Sequence, residues 1–390
     1  MTTINGEVAP GFEPVREAFA ANFTRHGDIG AAVCVYWHGR PVVDLWGGVA
    51  DVDTGRPWGR DTLQLVYSAT KGGTTTVVHM LAERGMLDLD APVATYWPDF
   101  AANGKADIPV RWLLSHQAGL VALDEPLPLA EALAWDPMTA ALAAQRPLWT
   151  PGTAHGYHGR TWGWLVGEVI RRVSGRSPGR FFADEIARPL GLDFFIGLPA
   201  SERERVSRMV YRRPDVDLTT APPESLPVEL REQVAAWCDP NSFSNRAFAV
   251  TDPAAIDFDS PEVQAAELPS SNGIGTARAL ARMYAALIGE VDGVRLLASE
   301  TLASATEERA SGKDRVLLFP SRFSTGYMLP TEGKLMTGPN AFGHTGRGGS
   351  LAFADPERGI ALGYVMNHII SGSDDVRAAV LADAVRKSVG

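Results

Sequence analysis

The chain has 390 residues, 45% of them hydrophobic and 21% charged, which suits a globular protein of two domains or of one large domain with an insertion. A net charge of -10 without any basic cluster excludes a nucleic-acid surface. Two cysteines, Cys34 and Cys238, make no disulfide framework; residues 1–14 hold neither a basic n-region nor an apolar h-region, and no apolar run reaches about 18 residues, so the sequence predicts no signal peptide, no membrane span and a cytoplasmic location.

Phe12, Val15, Phe19 and Phe23 recur at helical spacing and predict an amphipathic helix over 12–26. Gly30–Trp37 reads as a strand that packs the Cys34 thiol. His38-Gly39-Arg40 reads as a turn and Pro41–Gly48 as the returning strand of a hairpin. Asp51-Val-Asp-Thr-Gly55 echoes a calcium loop but lacks its closing glutamate, so it reads as a turn. Leu63–Tyr67 then leads into a helix that starts at or near Ser68. Apolar residues follow at Val77, Val78, Met80 and Leu81, and Gly85 stops it. Leu87–Pro92 ends this unit, and Val93–Trp97 is a short connection.

Val110–Ser115 begins a helical character that runs to about residue 199. Helices are predicted over Leu129–Gln145, Thr161–Ser174 and Pro178–Leu190. Residues 200–262 read as loops with one short helix over Leu230–Trp237, and the arginine-rich run Arg203–Arg213 as a solvated segment. Thr276 caps a strong helix over Ala277–Ile288. Strands are predicted at Ser324–Leu329, Ala341–His344, Ser350–Ala354 and Ile360–Asn367, with a tight turn over Asp355–Gly359 and a closing helix over Asp374–Val389. Sheet signals at both ends and helices between them predict an α+β protein. Its discontinuous α/β domain, residues 1–105 and 263–390, holds an antiparallel sheet flanked by helices. A mainly helical domain, residues 106–262, is inserted in it.

Three motifs carry chemistry. Ser68-Ala-Thr-Lys71 is the only Ser-x-x-Lys in a chain with five lysines. On a helix the pair shares one face, about 5–6 Å apart at Cβ. A serine hydroxyl needs a base to become a nucleophile, and a buried lysine of lowered pKa can serve. Alone, the pair also fits an N-cap serine and a solvated lysine. Tyr157-His158-Gly159, ahead of the Thr161 helix, supplies a phenol that could share the base task with Lys71 or relay a proton. Gly343-His-Thr-Gly-Arg-Gly-Gly-Ser350 is a glycine-rich strand end. If it faces Ser68, the N–H groups of Ser68 and Arg347 could form an oxyanion hole.

Other patterns carry less. Gly175-Arg-Ser177-Pro-Gly179 matches a nucleophile elbow, yet a helix precedes it and proline follows the serine, so it reads as a helix–helix turn. A Ser-His-Asp triad through His344 or His368 would leave Lys71 unexplained. No metal signature is present; His155 and His158 lack a third ligand and read as local hydrogen-bonding residues. Of the ten tryptophans, among them Trp112, Trp149, Trp162 and Trp164, most read as core and some could line an acyl pocket.

Ser68-Ala-Thr-Lys71, Tyr157-His-Gly159 and His344-Thr-Gly346, in this order and spacing, resemble the serine β-lactamase and penicillin-binding-protein superfamily. Leu113–Leu120 supports the likeness, which spans nearly the whole chain and is greatest to the family VIII carboxylesterases. The resemblance implies a β-lactamase/transpeptidase-like fold, Ser68 as the acylated nucleophile and Lys71 with Tyr157 as general base and acid. It places His344, Gly346 and Arg347 beside the substrate, with the Ser68 and Arg347 N–H groups on the oxyanion. Gly159 departs from the asparagine usual in penicillin-recognising members, so small esters are favoured over β-lactams and peptides. The expected function is hydrolysis of short-chain carboxylic esters through acyl-Ser68, with a small-molecule ester as partner and neither cofactor nor metal. The alternatives are a β-lactamase, a D-Ala peptidase or amidase, an acyltransferase of the same superfamily, or a non-catalytic binding protein.

Overall fold

The computed structural model describes residues 2–211, 226–332, 336–370 and 375–390. One sheet is built from both ends of the chain. Ile4–Val8, Arg40–Asp51, Gly30–Trp37, Ile360–Met366, Leu351–Asp355 and Phe342–Thr345 lie side by side in that order, all neighbours antiparallel, and Arg56–Pro57 pairs with Arg40–Asp51. The predicted hairpin turn has His38 and Gly39 at φ 48 and 76, the left-handed pair that matches strand twist in two-residue loops.

Period-two burial explains the layers. Ala31, Val33 and Val35 face Phe12, Val15 and Phe19 of the helix Glu13–Arg25 and Leu381 and Val385 of the helix Arg377–Val389. Cys34 and Tyr36 face the opposite way, into the core that holds Ala277, Leu280 and Tyr284 of the helix Ala277–Ile288. Both faces are covered, so these strands read as apolar runs rather than as alternation.

The helix Thr70–Glu83 runs through the middle of the molecule. Every residue from Thr70 to Leu81 is buried. Gly73 lets the rings of Phe182 and Phe194 close on it, since a Cβ there would lie 2.9 Å from Phe182. The threonine hydroxyls donate to carbonyls of surrounding loops, Thr74 to Pro269 at 2.6 Å and Thr75 to Gly326 at 3.1 Å. A threonine-rich helix is thereby buried without orphaned hydroxyls.

The structure departs from the sequence expectations in several elements. Val93–Tyr96 is a short helix, not a connection. The predicted helix over Leu129–Gln145 is two, Leu129–Leu133 and Asp136–Ala144, because Trp135 turns at φ 73 and Pro137 suits a helix start. The segment Pro178–Leu190 is helical throughout but widens to a π-turn over Ala183–Ala187, just before Pro189, which has no N–H to give. Ser324–Leu329 is not a strand: Gly326 turns at φ 106 and only Met328 bridges its neighbours, Phe323 and Gly343. The strands Ile4–Val8, Ala310–Lys313 and Pro320–Phe323 and the helix Ser299–Thr306 carry too weak a pattern to be predicted. Arg212 and Arg213 of the arginine-rich run, and Asp374 at the start of the last predicted helix, lie outside the described residues. Among the described residues no helix is long and apolar enough to cross a membrane.

A buried ion pair ties the two ends of the chain together. Arg377 donates to Asp28 and Asp375 at 2.8 and 2.7 Å and to the Gly348 carbonyl at 2.7 Å, and the Tyr364 hydroxyl donates to Asp28 at 2.8 Å. Burial raises the Asp28 carboxyl to about 6 against the pull of Arg377, so it is still ionised at neutral pH. Arg377→Met therefore leaves Asp28 buried without its cation, either as an unpaired carboxylate or forced to take up a proton. It is expected to cost roughly 3–5 kcal/mol in urea-induced unfolding at pH 7; a loss below about 1 kcal/mol would show that the pair is only locally important.

Candidate active site

Ser68 sits in the 3-10 turn Tyr67–Ala69 that opens the helix Thr70–Glu83. Tyr67 holds φ 47, a left-handed conformation that costs a non-glycine residue about 1–2 kcal/mol. Such stored strain is typical of a turn that must present one side chain.

Lys71 is fully buried. Its Nζ lies 3.0 Å from the Gly159 carbonyl, 3.1 Å from the Ser270 carbonyl and 3.4 Å from Ser68 Oγ. Burial, with the charge of Arg160 second, holds the amine well below the ordinary lysine value of 10.5. A neutral amine has two N–H bonds and one lone pair. Two carbonyls accept from Lys71, so once it is neutral the third position of its amine, turned to Ser68 Oγ, carries the lone pair.

Tyr157 closes the other side. Its ring centre is 4.8 Å from Lys71 Nζ, and that of Trp162 is 5.7 Å away. Burial pushes the phenol up, although a hydrogen bond from Ser68 pulls against it. It is therefore a phenol, a proton donor, rather than a phenolate. Its loop is held by the buried Asp314 carboxylate, which accepts the N–H of Tyr157 at 3.0 Å and those of Val316 and Leu317 at 2.8 Å each.

The histidines are structural acceptors and donors. His158 accepts the Leu120 N–H on Nε2 and donates from Nδ1 to Gly156. The buried ring of His116 stands 5.0 Å from that of Tyr157, and its Nδ1 accepts the His158 N–H. His155 meets Ser321 at 2.9 Å. His344 bonds the Thr345 carbonyl through Nδ1, has no carboxylate orienting it, and is lowered to about 3 by burial and by Lys71. Its Nε2 is buried and unpartnered. Ser177 caps the following helix and donates to Glu267 at 2.6 Å.

The strand end at 343–350 does face Ser68. Ser350 Oγ donates to the Val66 carbonyl at 3.0 Å, and a Cβ on Gly346 would lie 2.1 Å from that same oxygen. Among the described residues, the backbone N–H groups of Ser68 and Arg347 meet no acceptor. Two free donors thus stand where the strand end meets the Ser68 turn.

The structure brings Ser68, Lys71, Tyr157, His344 and Gly346 together around one point. It adds Arg160, Asp314, Phe248 and the Ser270 carbonyl, none of which sequence reasoning singled out. Arg160 had a signal, adjacency to Tyr157-His-Gly159. Asp314 and Phe248 had none, because they arrive from 89 to 157 positions away in the chain.

The antiparallel sheet, its flanking helices and the central Ser-x-x-Lys helix define a β-lactamase/transpeptidase-like fold. The family described as Beta-lactamase matches residues 15–386. The chain is 39% identical over 378 residues to the esterase/beta-lactamase LipL of Mycobacterium tuberculosis (strain H37Rv), covering 94% of this chain and 83% of that one. A crystal structure of a family VIII carboxylesterase superposes with TM-score 0.84 at 39% identity, over 99% of this chain and 100% of the other. EstA from Arthrobacter nitroguajacolicus Rue61a superposes with TM-score 0.86 at 34% identity, over 98% of both. The chain belongs to the beta-lactamase family, within the serine hydrolases of the esterase/β-lactamase type.

Proposed function

We propose that this protein is a carboxylesterase that cleaves short-chain esters through an acyl-Ser68 intermediate. The observation that carries the reading is the buried Lys71 amine, with both N–H positions engaged by carbonyls and Ser68 Oγ on its remaining side. Lys71 takes the Ser68 proton as Oγ attacks the ester carbonyl. The N–H groups of Ser68 and Arg347 hold the oxyanion. Tyr157 gives its proton to the departing alkoxide and regains one from the Lys71 ammonium. Water then repeats the sequence on the acyl-enzyme, with Lys71 as base, and releases the acid.

Gly159 supports an ester rather than a β-lactam substrate. A Cβ at that position would lie 2.6 Å from the Phe248 ring. A phenyl group thus occupies the direction in which penicillin-recognising relatives are expected to project an amide. The relatives named as esterases agree with this reading.

The test is intact mass after fluorophosphonate treatment, with p-nitrophenyl butyrate and nitrocefin rates alongside. One adduct on the wild type, none on Ser68→Ala, and a loss of about 10³-fold in ester turnover are expected. An adduct that survives Ser68→Ala would move the nucleophile. A chain inert to the probe would instead be a binding protein, and nitrocefin turnover far above ester turnover would replace the esterase by a β-lactamase.

A further inference from the structure

Arg160 follows Gly159, whose carbonyl holds Lys71, so its side chain leaves the loop right beside the base. Its guanidinium carbon lies 5.2 Å from the centre of the Phe258 ring. Phe258 in turn packs edge-on, 5.1 Å away, against Tyr67, the residue before Ser68. The Tyr67 and Tyr211 hydroxyls, 2.9 Å apart, border the same space.

Among the described residues this arginine has no ion-pair partner. Its Nη1 is buried and has no hydrogen-bond partner. The charged and titratable groups that act on it are Lys71, Arg347 and the two tyrosines, with no carboxylate among the described residues. Arg347, exposed on the strand end, acts on Arg160 as a like charge. The neighbouring acids serve elsewhere: Asp259 accepts the Met209 N–H, and the charges of Asp257 and Asp259 bear on the tyrosines. Elsewhere in the molecule arginines find acids readily, as Arg171 and Arg172 do on Glu168 and Arg205 on Asp193. A buried cation without a counter-charge is costly. Two arginines beside Ser68 that meet no carboxylate among the described residues, in a chain of net charge -10, suit an anionic ligand.

We infer that Arg160 and Arg347 form an anion subsite next to Ser68, and that the preferred substrates are esters carrying a carboxylate a few atoms from the carbonyl under attack. The inference rests on the esterase reading and names the substrate class of that site. A guanidinium fork matches a carboxylate in geometry as well as charge. The Phe258 ring fixes the plane of one fork, and the exposed Arg347 closes over the ligand from the solvent side.

The experiment compares p-nitrophenyl butyrate with mono-p-nitrophenyl glutarate, which extends the acyl chain and ends it in a carboxylate. Arg160 also acts on Lys71, so each protein is read as the ratio of kcat/KM for the two esters, in which a change in the base cancels. The wild type is expected to favour the anionic ester about tenfold. Arg160→Gln should bring the ratio near unity, Arg347→Gln should lower it severalfold, and Arg160→Lys should restore part of it. Added salt should weaken the preference in the wild type more than in either glutamine variant. Arg347 is exposed, so its replacement remains informative even if Arg160→Gln fails to fold. A wild-type ratio at or below one, or a ratio that neither glutamine substitution moves, overturns the subsite. If Ser68→Ala still hydrolyses the butyrate ester, the esterase reading falls and this inference with it; Ser68-dependent turnover with a flat ratio removes the subsite alone.

Discussion

Lys71→Met is expected to lower kcat for p-nitrophenyl butyrate by about 10³-fold while the chain still folds. Methionine fills nearly the same buried volume but has no lone pair to take the Ser68 proton and no N–H for the Gly159 and Ser270 carbonyls. Lys71→Arg should fail as badly, because a guanidinium does not give up its proton near neutral pH. The same replacement has a signature in stability. Burial holds Lys71 well below its ordinary value of 10.5, so the folded chain gives up this proton at a lower pH than the unfolded chain does. Between the folded value and 10.5 the unfolded state binds more protons, and stability contributed at this position rises with pH. Urea unfolding from about pH 7 to 10 should therefore show the wild type gaining on the Lys71→Met variant as pH increases. A variant that keeps activity within tenfold would remove Lys71 from the role of base.

The second large effect is expected from Gly346→Ala. The added methyl group would stand 2.1 Å from the Val66 carbonyl oxygen and equally close to Ser350 Oγ. The Val66 carbonyl cannot yield without moving the backbone, and Ser350 Oγ can turn away only by giving up its bond to that carbonyl. The strand end must then draw away from the Ser68 turn and carry the Arg347 N–H with it. Loss of one oxyanion donor is worth about 10²-fold in kcat. Steady-state kinetics would show that fall with KM little changed, and thermal melting would show the fold retained. Turnover within twofold of the wild type would mean that the Arg347 N–H takes no part.

Much of the architecture was legible because burial leaves a period in the sequence. The helices Thr161–Ser174 and Ala277–Ile288 and the strand Gly30–Trp37 have the bounds expected of them. Each combines a strong apolar pattern with a stop or cap, Gly175 after the first helix and Thr276 before the second. Two of the misses share a cause. Ile4–Val8 alternates burial but has only two large apolar residues, and the turn at Ser324–Tyr327 is decided by Gly326 packing over Thr75. In both places a distant partner selects the local conformation.

The site divides in the same way. Ser68 and Lys71 are three residues apart on one stretch, so local geometry alone brings them to one face. Tyr157 and the 343–350 strand end were recognisable as motifs, and their resemblance to a family told which residues to place together. Which of Lys71 and Tyr157 would serve as base in the proposed reaction was not in the sequence. It depends on burial of both groups and on the carbonyls of Gly159 and Ser270, which arrive from 88 and 199 positions away. Nor were the Phe248 ring against Gly159 and the unmatched charge of Arg160 readable in advance. A sequence fixes what each residue can donate, accept or bury. Only the tertiary structure decides which groups are left without water and without a partner, and the desolvation of Lys71 and the lack of a carboxylate beside Arg160 among the described residues are properties of that enclosure.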